Sequence, residues 1–140
     1  MKINLTRVDD AFRLKATNER GDIVHTDGSA AIGAGENGWR PMEMLLVSLA
    51  GCSAIDVISI LTKQRQTIED FQIEVDGDKK DGIPSPYTAI RVHFLLKGKI
   101  KESKMEKALE LTKNKYCSVY FSLNPNIDVA YTYEIEETED

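Results

Sequence analysis

The sequence has little cysteine and no closely spaced pattern of metal ligands. Its two cysteines, Cys52 and Cys117, stand 65 residues apart, and the two histidines, His25 and His93, are near neither of them. Protein zinc sites usually take their ligands in pairs roughly two to four residues apart. A C-x-x-C redox motif is also absent. We therefore expect neither a bound metal nor a resident cofactor.

The sequence also lacks an excess of positive charge and an apolar leader. Its formal net charge is -5 and its pI about 5.1. Nucleic acids and anionic membranes attract basic surfaces, so neither is an expected partner. The N-terminal residues alternate in polarity, whereas a secretory signal has a continuous apolar core of ~7–15 residues. We expect a cytoplasmic protein, whose thiols stay reduced by default.

The pattern of hydrophobic residues predicts an α+β fold. The length of 140 residues fits a single domain spanning 1–140. Alternating segments predict a three-stranded meander over residues 2–27, a hairpin of two long strands over 71–100, and a last strand over 127–135. A helix precedes the hairpin and two helices follow it, the first with Ser103 and Glu106 as its capping box. The predicted order is βββ-α-ββ-αα-β, with antiparallel sheets around a long buried central helix.

The central helix is the most unusual feature of the sequence. It is predicted from Pro41 to Lys63, and Glu43 and Asp56 are the only charged residues before its end. A helix that is apolar all round is buried all round. A membrane span is the competing interpretation, but the two carboxylates and the strand-rich remainder of the chain disfavour it. One small chain cannot easily cover such a helix, so we expect a second copy to pack against it.

Each cysteine has two open interpretations: a small inert core residue or a reactive thiol. A reactive Cys52 needs a cation or a hydrogen-bond donor to stabilise its thiolate, and Arg20 and Arg40 are candidates. Glu43 could hold such a guanidinium, or could simply complement the helix dipole. At ~100° per residue, Glu43 and Cys52 point to opposite sides of the helix, so Glu43 would act on the partner's cysteine across a two-fold interface.

Two polar residues follow Cys52 closely on the same helix. Asp56, four residues on, shares a helical face with Cys52. A carboxylate beside a thiol disfavours the thiolate, so we expect Asp56 to bind a backbone group or an arginine instead. Ser53 could donate a hydrogen bond to a thiolate.

The segment "RPMEMLLVSLAGCSAIDV", followed 65 residues after its cysteine by "KYCSVY", resembles the OsmC/Ohr family of osmotically inducible and organic hydroperoxide resistance proteins, and is closer to a less characterised OsmC-like branch. The resemblance implies an intertwined homodimer that reduces organic hydroperoxides in oxidative stress defence. By the same resemblance, Cys52 is the peroxidatic cysteine and Cys117 the resolving cysteine. An external dithiol, of lipoyl type or a small thiol, would complete this peroxiredoxin-like cycle.

The sequence departs from the hydroperoxide-resistance members at one position of the resemblance. Those members carry a glutamate directly after the helix proline, where this sequence has Met42, and Glu43 follows one residue later. One residue turns a helical side chain by about 100°. Arg20 resembles the site arginine of the family's first hairpin. The alternative function is a non-catalytic OsmC-like dimer that binds a small apolar ligand at the subunit interface.

Overall fold

The structure, a computed structural model, describes residues 1–138. It has two compact units, Met1–Leu45 and a second unit that begins at Leu46. The assignment of residues 1–140 to one domain stays a prediction. The predicted order of strands and helices is confirmed, with these bounds: β1 Asn4–Arg7, β2 Leu14–Thr17, β3 Ile23–Thr26, α1 Pro41–Lys63, β4 Thr67–Lys79, β5 Tyr87–Lys99, α2 Glu102–Leu111, α3 Ser118–Ser122 and β6 Asp128–Glu137.

The first unit contains the predicted antiparallel meander, in the order β1-β2-β3. The glycine-rich segment after β3 is organised by Asp27, which is 3% exposed. One carboxylate oxygen of Asp27 accepts the N–H of Gly28 at 2.8 Å, and the other accepts the N–H of Asn37 at 2.9 Å. This segment therefore folds back on itself across ten residues and leads the chain into α1.

The second unit contains a mixed sheet in the order β4-β5-β6. β4 and β5 form the predicted long hairpin, antiparallel from Thr67↔Lys99 to Lys79↔Tyr87. β6 runs parallel to β5, so the expectation of antiparallel pairing is wrong for this strand. The reason is the connection, because α2 and α3 carry the chain back to the start of β5, and such a crossover is what parallel pairing requires.

The core of the second unit lies on one face of this sheet. Ile90, Val92, Phe94 and Leu96 alternate along β5 and are at most 3% exposed, whereas Arg91 between them is on the solvent face. Burying side chains of this size contributes about 1.5–3 kcal/mol each. Met105 and Ala108 of α2 are fully buried as well. The buried side chains of β5 and α2 thus form the apolar core on this face of the sheet.

Gly98 is required where β4 and β5 meet at their ends. Its φ of +148° is a conformation that L side chains rarely adopt, and a Cβ there would lie 2.0 Å from the carbonyl oxygen of Thr67. The register of β4 shifts next to this point, between Ile68 and Asp70. Glycine therefore permits the two backbones to approach at the bulge.

Helix α1 has the predicted bounds, but it is buried on only one side. Leu49, Val57 and Leu61 are fully buried, whereas Ile55 is 71% exposed. We call its exposed side the outer face of α1; it consists of Val47, Ser48, Gly51, Ile55, Ile58 and Thr62. By length and composition alone the helix could also cross a membrane, a test that core helices of soluble proteins pass too. The single chain thus leaves one side of the helix uncovered, as expected for a helix that one small chain cannot cover. Its burial by a second copy stays a prediction.

The predicted capping box of α2 is also wrong. The helix begins at Glu102 with Lys101 as its N-cap and no side-chain cap, so Ser103 lies inside the first turn. The start is fixed from outside the helix, because the N–H of Lys101 donates to Gln66 Oε1 at 2.8 Å. Glu106 accepts a hydrogen bond from the hydroxyl of Tyr133 instead.

Candidate functional site: a thiol pair beside a buried polar network

The two cysteines lie next to each other in the second unit. Cys52 is partly exposed near the middle of α1, and Cys117 is fully buried at the start of α3. Their Sγ atoms are within 4.8 Å of each other. Both cysteines are free. The structure therefore brings together two reduced thiols from elements 65 residues apart.

Cys117 is positioned by an irregular connection after α2. The residues Thr112–Tyr116 form a π-helical turn, which is closed by a 2.9 Å hydrogen bond from the N–H of Cys117 to the carbonyl of Thr112. Cys117 itself is extended and is the N-cap of α3, so its Sγ accepts the N–H of Tyr120 at 3.5 Å. Single π turns occur frequently at functional sites. Here the turn places the sulfur inside the unit.

Ser53 links the thiol pair to β6. Its hydroxyl donates to the carbonyl of Leu49 at 2.8 Å, and its Oγ is 3.0 Å from the hydroxyl of Tyr131 and 3.7 Å from Cys117 Sγ. A serine has one proton to donate. While it donates to Leu49, it accepts from Tyr131 and from the thiol of Cys117. The sequence pointed to Ser53 as a donor to a thiolate; its sulfur partner is Cys117.

The electrostatic environment favours neutral groups in this network. Burial is the main cause that raises the pKa of Cys117, and the neighbouring Cys52 raises it further. The N–H of Tyr120 lowers the pKa of Cys117 and offsets part of that increase, as does the hydroxyl of Ser53 when it turns from Leu49 to donate to the thiolate. Burial also raises the pKa of Tyr131 to about 12. Cys117 is thus a protonated thiol at neutral pH until a partner or a reaction removes its proton.

Asp56 is the third acidic group of the site. A carboxylate oxygen of Asp56 lies within 4.8 Å of both sulfurs. Burial raises the pKa of Asp56. Its Oδ2 is buried and has no hydrogen-bond partner among the described residues. For this oxygen the expected backbone or arginine partner is wrong, because the backbone groups of α1 around it are paired along the helix and the side chain lies beside the sulfurs.

The other predicted site residues lie in the first unit, where each has a local partner. Arg20 is in the turn between β2 and β3, 79% exposed, and pairs with Asp22 at 3.1 Å. Glu43 accepts the N–H of Arg40 at 2.9 Å, and Arg40 pairs with Glu36 at 3.0 Å. Glu43 therefore caps the start of α1. The roles of Arg20 and Glu43 at a thiol stay predictions.

The geometry of the sulfurs allows them to form a disulfide after a small movement. A disulfide has an S–S distance of ~2.05 Å, so the sulfurs need to approach by less than about 3 Å. Two-electron oxidation of such a dithiol is reversible, and the buried position of Cys117 leaves Cys52 as the more accessible sulfur. The fold and the site together define a class: an α+β protein whose long helix carries one cysteine of a vicinal thiol pair.

The comparisons with known proteins assign a family to this class. The OsmC-like protein family matches residues 33–132. The curated protein YhfA of Escherichia coli K12 is 36% identical over 116 residues, which cover 82% of this chain and 84% of YhfA. The chain belongs to the OsmC family.

Solved structures agree with this assignment. A hypothetical protein from Aquifex aeolicus VF5 is 30% identical, with a TM-score of 0.86 over 99% of this chain and 97% of the other. An organic hydroperoxide resistance protein from Legionella pneumophila is 11% identical, with a TM-score of 0.71 over 95% of each chain. The second likeness shows that the two proteins share the fold. The α+β class and the recognition of the OsmC/Ohr family are confirmed.

Proposed function

We propose that the protein is a thiol-dependent peroxidase that reduces organic hydroperoxides in oxidative stress defence. The observation that carries the proposal is the proximity of the Cys52 and Cys117 sulfurs, within 4.8 Å in the second unit. The fold it shares with an organic hydroperoxide resistance protein supports the same reaction class. A cytoplasmic location, where dithiol reductants are abundant, belongs to this proposal.

The difference in burial assigns the two cysteines their order of reaction. The more accessible Cys52 attacks the peroxide as a thiolate, the O–O bond breaks, and the alkoxide leaves as an alcohol after it takes a proton. Cys52 becomes a sulfenic acid, which Cys117 attacks to form the disulfide with loss of water. An external dithiol reduces this disulfide by two exchange steps and is itself oxidised to a disulfide.

The helix around Cys52 favours substrates with an apolar tail. Its neighbours one helical turn away include Leu49 and Ile55, and Ile55 is 71% exposed. Each buried CH₂ group of a substrate gains about 0.8 kcal/mol. An alkyl hydroperoxide is therefore favoured over hydrogen peroxide at this site.

A homodimer is part of the proposal. The outer face of α1 exposes apolar and small side chains along four helical turns, an arrangement on which a second helix can pack closely. In the dimer, Arg20 and Glu43 are the candidates that activate a thiolate, as the resemblance to the family implies. Both would have to exchange their present partners, Asp22 and the N–H of Arg40.

The test is hydroperoxide consumption by the purified, reduced protein with tert-butyl hydroperoxide and dihydrolipoamide. The wild-type protein should turn over many equivalents, and Cys52→Ser should fall to the rate of the dithiol alone. In a separate reaction without the dithiol, reduced Cys117→Ser should consume one equivalent and accumulate a sulfenic acid that dimedone traps. Ser122→Ala, at an exposed serine of α3, is the matched control and should keep the full rate. Absence of turnover in the wild type, or turnover in Cys52→Ser, contradicts the proposal.

The alternative is a non-catalytic dimer that binds a small apolar ligand at the subunit interface, and one observation in the second unit supports the binding of such a ligand. A cleft of about 320 Å³ lies beside α3, a size that suits a small ligand. Its lining is largely apolar: Tyr120, Phe121, Leu123, Asn124, Pro125, Ile127 and Val129. Under this alternative Cys52→Ser binds an apolar fluorescent probe as tightly as the wild type, whereas Phe121→Asp releases it.

A further inference from the structure

A third potential metal ligand, Asp56, lies beside the two cysteines. The spacing of cysteines and histidines along the sequence did not indicate this cluster. The Sγ atoms of Cys52 and Cys117 and a carboxylate oxygen of Asp56 are all within 4.8 Å of one another. Two of these ligands come from one face of α1, one helical turn apart, and the third comes from the start of α3. The cysteines are far apart in sequence, which argued against a metal site, but the fold brings them close together in space.

One polar atom of this cluster is unsatisfied. Oδ2 of Asp56 is buried and has no hydrogen-bond partner among residues 1–138. Leaving a buried polar group without a partner costs free energy, so such an atom in a native structure requires an explanation. A cation held between the carboxylate of Asp56 and the two sulfurs supplies a partner for this group. It displaces the protons that the thiols carry without it and so forms the thiolates that bind it.

We propose that the reduced protein binds a thiophilic divalent cation, Zn²⁺ in its simplest form, through Cys52, Asp56 and Cys117. Two thiolates make the site soft and select Zn²⁺ over Mg²⁺ or Ca²⁺, which prefer oxygen ligands. Zinc bonds of ~2.3 Å to sulfur and ~2.1 Å to oxygen place tetrahedral ligands roughly 3.5–3.8 Å apart. The three ligands reach that spacing by moving inward by about 1 Å.

The surroundings of Cys117 fit a metal-bound thiolate. Its Sγ already accepts the N–H of Tyr120 at 3.5 Å, and the hydroxyl of Ser53 is 3.7 Å away. The N–H of Tyr120 orients the sulfur and stabilises its negative charge, and the hydroxyl of Ser53 adds a second donor once the thiol has lost its proton and Ser53 turns to it from Leu49. Three protein ligands leave the fourth tetrahedral position for water, an open coordination that permits the metal to exchange.

Metal binding and oxidation exclude each other at this site, a consequence that rests on the proposed peroxidase function. One hydroperoxide and two protons convert the zinc-bound thiolate pair into a disulfide, an alcohol, water and free Zn²⁺. The two electrons come from the sulfurs, and zinc does not change its oxidation state. Bound Zn²⁺ therefore protects the thiols and slows peroxide reduction, and oxidation releases the metal. The binding of the metal itself does not depend on peroxidase activity.

The test uses Co²⁺ as a spectroscopic probe, added anaerobically to the reduced, metal-free protein. We expect one equivalent to give the visible bands of tetrahedral Co²⁺ and an ultraviolet sulfur-to-cobalt band with the intensity of two thiolates. Zn²⁺ should displace the cobalt. Cys117→Ser should halve the ultraviolet band. Asp56→Asn should keep the sulfur band and weaken the affinity at least tenfold. Asp70→Asn, at an exposed aspartate of β4 that pairs with Gln72, is the control.

The wild-type chain provides a second measurement that does not depend on the variants folding. Protein oxidised to the disulfide should bind no cobalt, and reduction should restore one equivalent. A wild-type spectrum of octahedral Co²⁺ without a sulfur band overturns the proposal, as does an unchanged affinity in a folded Asp56→Asn protein. A protein that binds cobalt in this way but consumes no peroxide supports the metal site and contradicts the peroxidase function alone.

Discussion

The hydroxyl of Ser53 connects three elements through one buried atom. It donates to Leu49 within α1, accepts from Tyr131 of β6 and lies beside the sulfur of Cys117. Ser53 itself is fully buried. Because Ser53 is buried, removing its hydroxyl deprives Tyr131 of a hydrogen-bond partner at a position remote from solvent. This residue therefore couples the thiol pair to the sheet.

We predict that Ser53→Ala lowers the free energy of unfolding by about 1–3 kcal/mol, because the hydroxyl of Tyr131 is left without its partner. Tyr131→Phe removes the hydroxyl of Tyr131, which is the other partner of this hydrogen bond. The double variant should cost less than the sum of the two single variants, since it leaves no orphaned hydroxyl. Urea unfolding of the four proteins checks the prediction, and strictly additive losses would refute it.

Neither Ser53 nor Tyr131 was assigned its partner from the sequence, and the reason is physical. The hydrogen bond joins residues 78 positions apart in sequence. The hydrophobic patterns that predict a helix and a strand do not indicate which residue of the helix contacts which residue of the strand. The proximity of Cys52 and Cys117 was implied by the family resemblance, not by spacing. Asp56 was placed correctly on the face of Cys52, but its surroundings depend on α3, which sequence periodicity does not locate.

At the scale of the element, α1 was predictable because its signals are local. Pro41 suits a first helical position, and a long run without proline continues to Lys63. The capping box of α2 failed for the opposite reason: Lys101 is fixed by Gln66, a distant residue. Local chemistry thus predicts where an isolated helix begins, whereas tertiary contacts decide where α2 begins.

We predict opposite effects of Gly51→Ala on the single chain and on the dimer. A Cβ at Gly51 would meet nothing within 4 Å in the chain, so alanine stabilises the exposed helix by up to about 1 kcal/mol. If a second copy packs closely on the outer face of α1, the added methyl separates the two helices. The dissociation constant of the dimer should then rise about tenfold, which corresponds to ~1.4 kcal/mol.

Sedimentation velocity over a range of protein concentrations measures that constant. Lys107→Ala, on the exposed side of α2, is the control and should leave the dimer unchanged. A wild-type protein that is monomeric at all concentrations, or a Gly51→Ala protein that dimerises as tightly as the wild type, would show that this helix face is not the interface.

At the scale of the whole molecule, the two units are stabilised by different interactions. The second unit has an apolar core on its mixed sheet, whereas the segment after β3 in the first unit depends on the carboxylate of Asp27. The hydrogen bond from Asn37 is the main cause that lowers the pKa of Asp27; the N–H of Gly28 and the charges of Arg40 and Arg13 act in the same direction. The family match begins at residue 33, inside this segment.

We predict that Asp27 makes the first unit sensitive to acid. A carboxyl whose pKa is lowered on folding stabilises the protein fully above its unfolded pKa of ~3.9. That contribution is lost as the pH falls through the still lower folded value. Asp27→Asn should therefore reduce the free energy of unfolding at pH 7, and the difference from the wild type should shrink below about pH 4.

Amide hydrogen exchange of Asn37 and Gly28 reports on this effect directly. Asp22→Asn, whose carboxylate is largely exposed beside Arg20, is the matched control. A difference between Asp27→Asn and the wild type that persists undiminished at pH 3 would contradict the prediction.

The parallel alignment of β6 has a consequence for how the protein is made. β6 covers the edge of β5 from Ala89 to Gly98, yet it is synthesised about 30 residues after β5. Until β6 has been synthesised, β5 presents a row of unpaired N–H and C=O groups along this edge, which is a template for aggregation with other nascent chains. Premature termination before residue 128 would make that exposed edge permanent, so truncated products should be clients of chaperones and proteases.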